Sequence, residues 1–146
     1  MKALVTGGGG FLGRHIVTKL LARGDQVRVL GRRHYPDLEK MGVEMVCADV
    51  QDAAAVERAC LGMETVFHVA ARAGYWGSWD SYYGPNVVGT QNVLHGCRKA
   101  GLRKLIYTST PSVVSAPGNL EHADEQVPYP THYGCPYLGV KFPKRS

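Results

Sequence analysis

Four consecutive glycines, Gly7 to Gly10, sit inside Thr6-Gly7-Gly8-Gly9-Gly10-Phe11-Leu12-Gly13, and no other stretch constrains the fold as tightly. Lys2 to Thr6 (KALVT) ahead of them is short and β-prone. Behind them, Phe11 to Arg23 places apolar Leu12, Ile16, Leu20 and Leu21 at helical spacing. The order is therefore strand, tight turn, helix. The glycines fit two spacings, G-x-G-x-x-G through Gly8, Gly10 and Gly13, and G-x-x-G-x-x-G through Gly7, Gly10 and Gly13. Glycine in this context permits the turn and a close approach of backbone to ligand, while N–H groups at a helix start attract negative charge. A pyrophosphate cradle is implied, against the plainer alternative of a glycine-rich structural turn.

The rest of the chain repeats the alternation. Gly24 stops the first helix and Gln26 to Leu30 is a second strand. A polar stretch from Gly31 to Lys40 leads to a third strand, Val43 to Cys47. Asp52 then N-caps a helix over Ala53 to Cys60. Thr65 to Val69 is the fourth strand. A helical pattern runs from about Trp79 to Lys99, in which Pro85 marks a first turn or a kink. Lys104 to Ser109 is the fifth strand. Such alternation predicts right-handed crossovers and a doubly wound parallel α/β sheet in the order 3-2-1-4-5. Residues 111–136 hold five prolines and read as a long loop with one short turn.

The bulk composition fits one domain over residues 1–146, with 45% hydrophobic residues, 20% charged residues and 18 glycines. The cysteines Cys47, Cys60, Cys97 and Cys135 show no C-x-x-C and no zinc-ligand spacing, so reduced structural thiols and no metal site are expected. The glycines interrupt any signal-peptide core, and no run is long enough to span a membrane, so a cytoplasmic protein is expected. The net charge of +5 comes from scattered residues rather than a basic block, which argues against nucleic acid and for a small anionic ligand.

The end of the second strand decides which dinucleotide is bound. An acid there would hold the ribose 2′-hydroxyl of NAD and repel an extra phosphate. Gly31-Arg32-Arg33 has none. Two guanidiniums suit a 2′-phosphate, which favours NADP over NAD, unless both arginines are simply solvated.

Several further motifs, taken together, resemble the extended short-chain dehydrogenase/reductases. They are TGGGGFLG at Thr6 to Gly13, Asp49-Val50, His68-Val69-Ala70-Ala71, NVVGTQNVL from Asn86 to Leu94, YTST from Tyr107 to Thr110, and Tyr137-x-x-x-Lys141. RRHYPDL (Arg32 to Leu38) and AGYWGSWDSYY (Ala73 to Tyr83) look most like the 3β-hydroxysteroid dehydrogenase group and its bacterial relatives that reduce 2-alkyl-3-oxoalkanoates. The resemblance implies cofactor contacts from Gly7, Gly10, Phe11, Leu12, Gly13, Arg32 and Arg33. It also implies that Asp49 and Val50 contact the adenine, that Ala70 and Ala71 line the cofactor channel, and that Asn86 steadies the cofactor side. For Asp49 the alternative is a turn or capping residue, and for Asn86 a helix-surface amide.

By the same resemblance Tyr137 and Lys141 bind cofactor and join Thr110 as catalytic residues. Chemistry supports the pair: a ketone reduced by hydride needs a proton donor, and a phenol must be acidified to serve near neutrality. Lys141, four residues on, shares a helical face with Tyr137 and favours its phenolate. Standing alone, the spacing equally describes a surface pair. The substrate implied is a small hydrophobic keto or hydroxy compound, and a homodimer is compatible with the family. Tyr75, Trp76, Trp79, Tyr82 and Tyr83 suit either an apolar substrate wall or core and interface packing. His68 reads as a hydrogen-bonded structural histidine rather than a catalyst.

Members of the family continue past the Tyr/Lys helix into further strands and a substrate-binding portion. Here Pro136 and Pro143 bracket Tyr137 and Lys141, and residues 142–146 form an atypical tail. A C-terminally truncated chain with an exposed fifth strand and weak or absent turnover is the expectation. Two functions follow: an NAD(P)-dependent alcohol/ketone oxidoreductase, or an inactive nucleotide-binding or interaction module or gene fragment.

Overall fold

β1 (Lys2–Thr6) runs through the middle of a parallel sheet, pairing with β2 (Gln26–Gly31) on one side and β4 (Thr65–His68) on the other. β3 (Glu44–Cys47) lies outside β2 and β5 (Lys104–Tyr107) outside β4, so the order is β3-β2-β1-β4-β5, as the alternation predicts. The coordinates are a computed structural model that describes residues 1–74, 76–114, 124, 126–130 and 137.

Both faces of the sheet are buried, which is why its strands read as near-continuous apolar runs. Alternation along β1 sends Ala3 and Val5 to one face and Leu4 to the other. On the first face α1 (Phe11–Ala22) packs Val17 and Leu20, and α2 (Pro36–Lys40) packs Leu38. On the second, α3 (Ala53–Cys60) brings Val56, Ala59 and Cys60 against Val93 and Cys97 of α5 (Gly89–Lys99). Cys60 and Cys97 are free buried thiols, and the Cys60 thiol is pushed up by its hydrogen bond with Cys97 and by burial. Cys47 is exposed.

The structure corrects four sequence boundaries. The polar stretch after β2 contains α2, a helix of five residues with Pro36 in its first turn and only Leu38 to bury, too short for a periodic signal. The long pattern from Trp79 divides into α4 (Trp79–Tyr83), a π-helical segment (Gly84–Val88) and α5. Pro85 lacks an N–H for the helical ladder, and the Gly89 N–H reaches the Gly84 carbonyl five residues back. β4 ends at His68, past which the Val69 N–H is shared between the Thr6 carbonyl at 3.3 Å and the Thr6 hydroxyl at 3.2 Å, and the hydroxyl also takes the Ala70 N–H at 3.2 Å. β5 ends at Tyr107, one bond before the Thr108 N–H reaches the His68 carbonyl. Within residues 111–136 there is a short 3₁₀ turn, Pro111–Val114.

No described helix is long and apolar enough to cross a membrane. β5 forms the edge of the sheet among the described residues, with Ile106 exposed.

Candidate cofactor site

A cleft of about 840 Å³ opens at the carboxyl ends of β1, β2 and β4, where the strand order reverses. Open α/β sheets hold their ligands at that place.

The glycine loop forms its floor. Gly7 has φ +72°, and a Cβ there would lie 2.9 Å from the Ala70 backbone. The Gly7 carbonyl accepts from the Gly10 N–H at 3.0 Å, closing the turn. A Cβ at Gly13 would lie 2.2 Å from that same carbonyl oxygen, so the helix can meet the turn only through a glycine. G-x-x-G-x-x-G is thus the spacing that shapes the turn. Gly8 instead lies over Val29, where a Cβ would stand 2.5 Å from Cγ2. No side chain caps α1 at Gly10, and its first bond runs from Arg14 N–H to the Gly10 carbonyl at 2.8 Å. The first-turn residues Phe11, Leu12 and Gly13 line the cleft, and the N–H groups of a first turn have no helical acceptor. Phe11 is 86% exposed, a cost no interior contact explains.

A buried polar chain fixes the wall opposite. Thr90 Oγ1 donates to the Asn86 carbonyl at 2.7 Å, leaving it to accept from His68 Nε2 at 3.0 Å. His68 Nδ1 then accepts from Thr6 Oγ1 at 2.6 Å, while Thr6 Oγ1 takes the Val69 and Ala70 N–H groups. The pattern assigns His68 as the neutral Nε2–H tautomer. His68 is fully buried, in keeping with a structural histidine. Tyr107 lies beside it with ring centroids 5.7 Å apart, and burial pushes its phenol up while the Thr90 hydroxyl opposes.

Asn86 is 3% exposed, so it is not a helix-surface amide. Its side chain accepts from the Arg72 N–H at 2.8 Å and donates to the Arg72 carbonyl at 2.9 Å. It holds the loop after β4 and does not itself line the cleft. Ala70, Ala71 and Arg72 of that loop do. So do Asp49 and Val50, although Asp49 Oδ1 also accepts from the Gln51 N–H at 2.9 Å, making the turn that sequence allowed as the alternative. Arg32 and Arg33 are exposed and line the cleft with Tyr35.

Of the catalytic candidates, Thr110 and Tyr137 are among the described residues. Thr110 is half-buried, and its hydroxyl donates to Ser112 Oγ at 3.2 Å and accepts from the Ser112 N–H at 3.3 Å at the start of the 3₁₀ turn. Tyr137 packs its ring 6.2 Å from that of Tyr82, between centroids. Neither is among the cleft-lining residues. Lys141, the tail 142–146, Cys135 and Tyr75 fall outside the described residues. The aromatic cluster splits: Tyr82 is fully buried and donates to the Trp76 carbonyl at 2.9 Å, whereas Trp76 is 91% exposed. Sequence reasoning missed Tyr35, Arg72, Asp80, Ser81 and Pro85 on the lining. Arg72, close behind the predicted fourth strand, offered a signal by its position, whereas Asp80, Ser81 and Pro85 lie inside the predicted helical pattern. Among the described residues no cluster of three or more His, Cys, Asp or Glu could hold a metal.

Residues 4–142 match the family model described as the 3-beta hydroxysteroid dehydrogenase/isomerase family. The chain belongs to that family. It is 49% identical over 144 residues to a 2-alkyl-3-oxoalkanoate reductase of Stenotrophomonas maltophilia, an alignment that covers 97% of this chain and 43% of the relative. A 3-beta-hydroxysteroid dehydrogenase of Mycolicibacterium neoaurum is 34% identical, over 96% of this chain and 40% of its own. Among solved structures, UDP-glucose 4-epimerase of Thermus thermophilus in complex with NAD superposes with a TM-score of 0.84 at 35% identity, covering 97% of this chain and 47% of that one. The chain thus spans under half the length of these relatives. The 3-beta hydroxysteroid dehydrogenase/isomerase family is NAD(P)-dependent, and the cleft fits such a cofactor. Its floor is glycine backbone at Gly7, Gly9 and Gly10, an uncapped helix turn meets it, and Arg32 and Arg33 stand at one end.

Proposed function

We propose that this chain supplies the NADP-binding half, and the proton-handling residues, of an oxidoreductase that interconverts a secondary alcohol and a ketone on a hydrophobic substrate of the 3β-hydroxysteroid or 2-alkyl-3-oxo acid type. The observation that carries the reading is the glycine-floored cleft with Arg32 and Arg33, and no acid, at the end of β2. The first turn of α1 holds pyrophosphate, Asp49 and Val50 bound the adenine, the two arginines hold the 2′-phosphate, and Ala70 and Ala71 flank the channel. Asn86 keeps that channel in shape through its grip on Arg72.

When bound, the cofactor supplies or accepts the hydride. Tyr137 gives the carbonyl oxygen its proton, Lys141 favours the phenolate that remains, and Thr110 orients the carbonyl. A second reading, dinucleotide binding without turnover, is favoured by one observation: the cleft is assembled while Thr110 and Tyr137 stand outside its lining. Fluorescence titration tests the cofactor, with NADPH expected to bind more tightly than NADH and the preference lost in R32A/R33A. Equal affinities refute NADP. Turnover of 3-ketosteroids or 2-alkyl-3-oxo acids that disappears in Tyr137→Phe supports the enzyme, whereas negligible rates in both leave the binding module.

A further inference from the structure

Gly9 is a glycine for a reason unrelated to phosphate. A Cβ there would lie 2.0 Å from Cε2 and Cζ of Tyr35, whose ring rests directly on the glycine loop. Arg14, one residue past the last glycine, donates from Nε to the Gly9 carbonyl at 3.1 Å. Its guanidinium lies 5.3 Å from the centroid of the Tyr35 ring. The far side of that guanidinium faces the carboxylate of Asp37 through both Nη atoms, Nη2 to Oδ1 at 3.4 Å and Nη1 to Oδ2 closer still. Asp37 belongs to α2, and the Tyr35 carbonyl takes the Leu38 and Glu39 N–H groups at 3.0 and 3.2 Å, so ring and carboxylate share one anchored turn. Leu38 is 2% exposed and fixes that turn to the core.

Only Arg32, Arg33 and His34 lie between Gly31, held by the sheet, and Tyr35. All three are exposed. We propose that Tyr35, Arg14 and Asp37 form a staple that sets the selectivity of this cleft for a 2′-phosphorylated dinucleotide by holding the Arg32–Arg33 span against the glycine loop. The proposal rests on the reading of Arg32 and Arg33 given above. Backbone fixed in advance loses no further conformational freedom when a ligand arrives, so stapled arginines clamp a phosphate more tightly than arginines on a free loop. A ligand without the phosphate makes no use of them and gains nothing. Arg14 is not itself the phosphate ligand, because Gly9, Tyr35 and Asp37 already occupy it. Exposed ion pairs add little global stability, so variants of the pair are expected to fold.

The test uses the full chain and two measurements: the ratio of Kd for NADH to Kd for NADPH, and hydrogen exchange of the amides from Arg32 to Tyr35. In Asp37→Asn and in Tyr35→Leu the ratio is expected to fall about tenfold, in Asp37→Asn through a weaker Kd for NADPH with that for NADH little changed, the size expected from re-ordering a short span. Exchange over the span should quicken in both. Tyr35→Phe, which keeps the ring on Gly9, restores what Tyr35→Leu loses. An unchanged ratio overturns the staple. An equal loss for both cofactors overturns it too, since that marks a structural role only. A higher ratio in Asp37→Asn also overturns it, because a released Arg14 would then be a phosphate ligand. A wild-type chain with no preference removes the reading of Arg32 and Arg33 and this proposal with it. A wild-type preference that survives the staple variants overturns the staple alone.

Discussion

Gly13→Ala gives the sharpest test of how the glycine loop works. The new methyl would stand 2.2 Å from the Gly7 carbonyl oxygen and 2.7 Å from the Gly8 Cα, both backbone atoms that cannot rotate away. An ordinary C···O contact is about 3.3 Å, so turn and helix must part by about 1 Å. Overpacking of this kind costs about 1–3 kcal/mol. Displacing the Gly7 carbonyl also strains the Gly10 N–H bond it accepts at 3.0 Å, worth about 1 kcal/mol. Alanine's better helix propensity returns about 1 kcal/mol at most. The net is about 2 kcal/mol, or about 4–8 °C in Tm for a domain near this size. Urea denaturation and thermal melts read the stability, and NADPH fluorescence reads the binding, which should weaken at least tenfold because the first turn of α1 retreats from the loop. A variant as stable as the parent, with unchanged NADPH affinity, would refute the close meeting of Gly13 with Gly7 and the role drawn from it.

Three further outcomes are expected. Gly10→Val meets only the Gly7 oxygen, at 3.4 Å, so its circular dichroism should match the parent while NADPH titration shows binding largely lost; normal binding would make the loop purely structural. His68→Leu removes the acceptor for Thr6 and the donor to Thr90, and should cost about 2–4 kcal/mol in denaturant melts. A near-neutral result would break the inferred chain. Asp25→Asn probes pH. Burial pushes this carboxyl up, but hydrogen bonds from the Met1 ammonium and from Arg23 override it and hold it below its usual range. A depressed carboxyl contributes stability in full above its unfolded value near about 3.9 and loses it as pH falls through the folded value. The gap between wild type and variant should therefore be constant from pH 7 to about 4 and close at lower pH.

Strands and their order were legible because a parallel sheet covered on both faces imposes long apolar runs, and because Thr6 to Gly13 announces a turn by composition alone. Helix α2 was not legible, since one buried leucine in five residues makes no period. Nor was the π segment, because a proline inside a helical pattern signals a fault without saying how the ladder closes. His68 is buried and hydrogen-bonded, as its place on a buried strand suggested, yet its partners Thr6 and Thr90 are 62 and 22 residues away and only the fold joins them. The staple was invisible for the same reason: Arg14 and Asp37 are 23 residues apart. Asn86 was singled out by resemblance, but its action through the Arg72 backbone needed coordinates. Asp49 shows the limit of choosing between two roles, for it makes a local turn and also faces the cleft.

The π segment carries a constraint on how this chain can change length. Tyr82 ahead of it and Val93 behind it both face the interior, so Gly84–Val88 fixes the rotational phase between two helices. Its closing bond spans five residues rather than four, so removing one residue there would leave an ordinary α turn and keep the phase, whereas removing one residue from α5 ahead of Val93 would turn α4 about its axis by about 100°. The Tyr82 ring would then swing away from the interior it fills. Length changes between Tyr82 and Val93 are therefore limited to those that keep the phase their two buried side chains require.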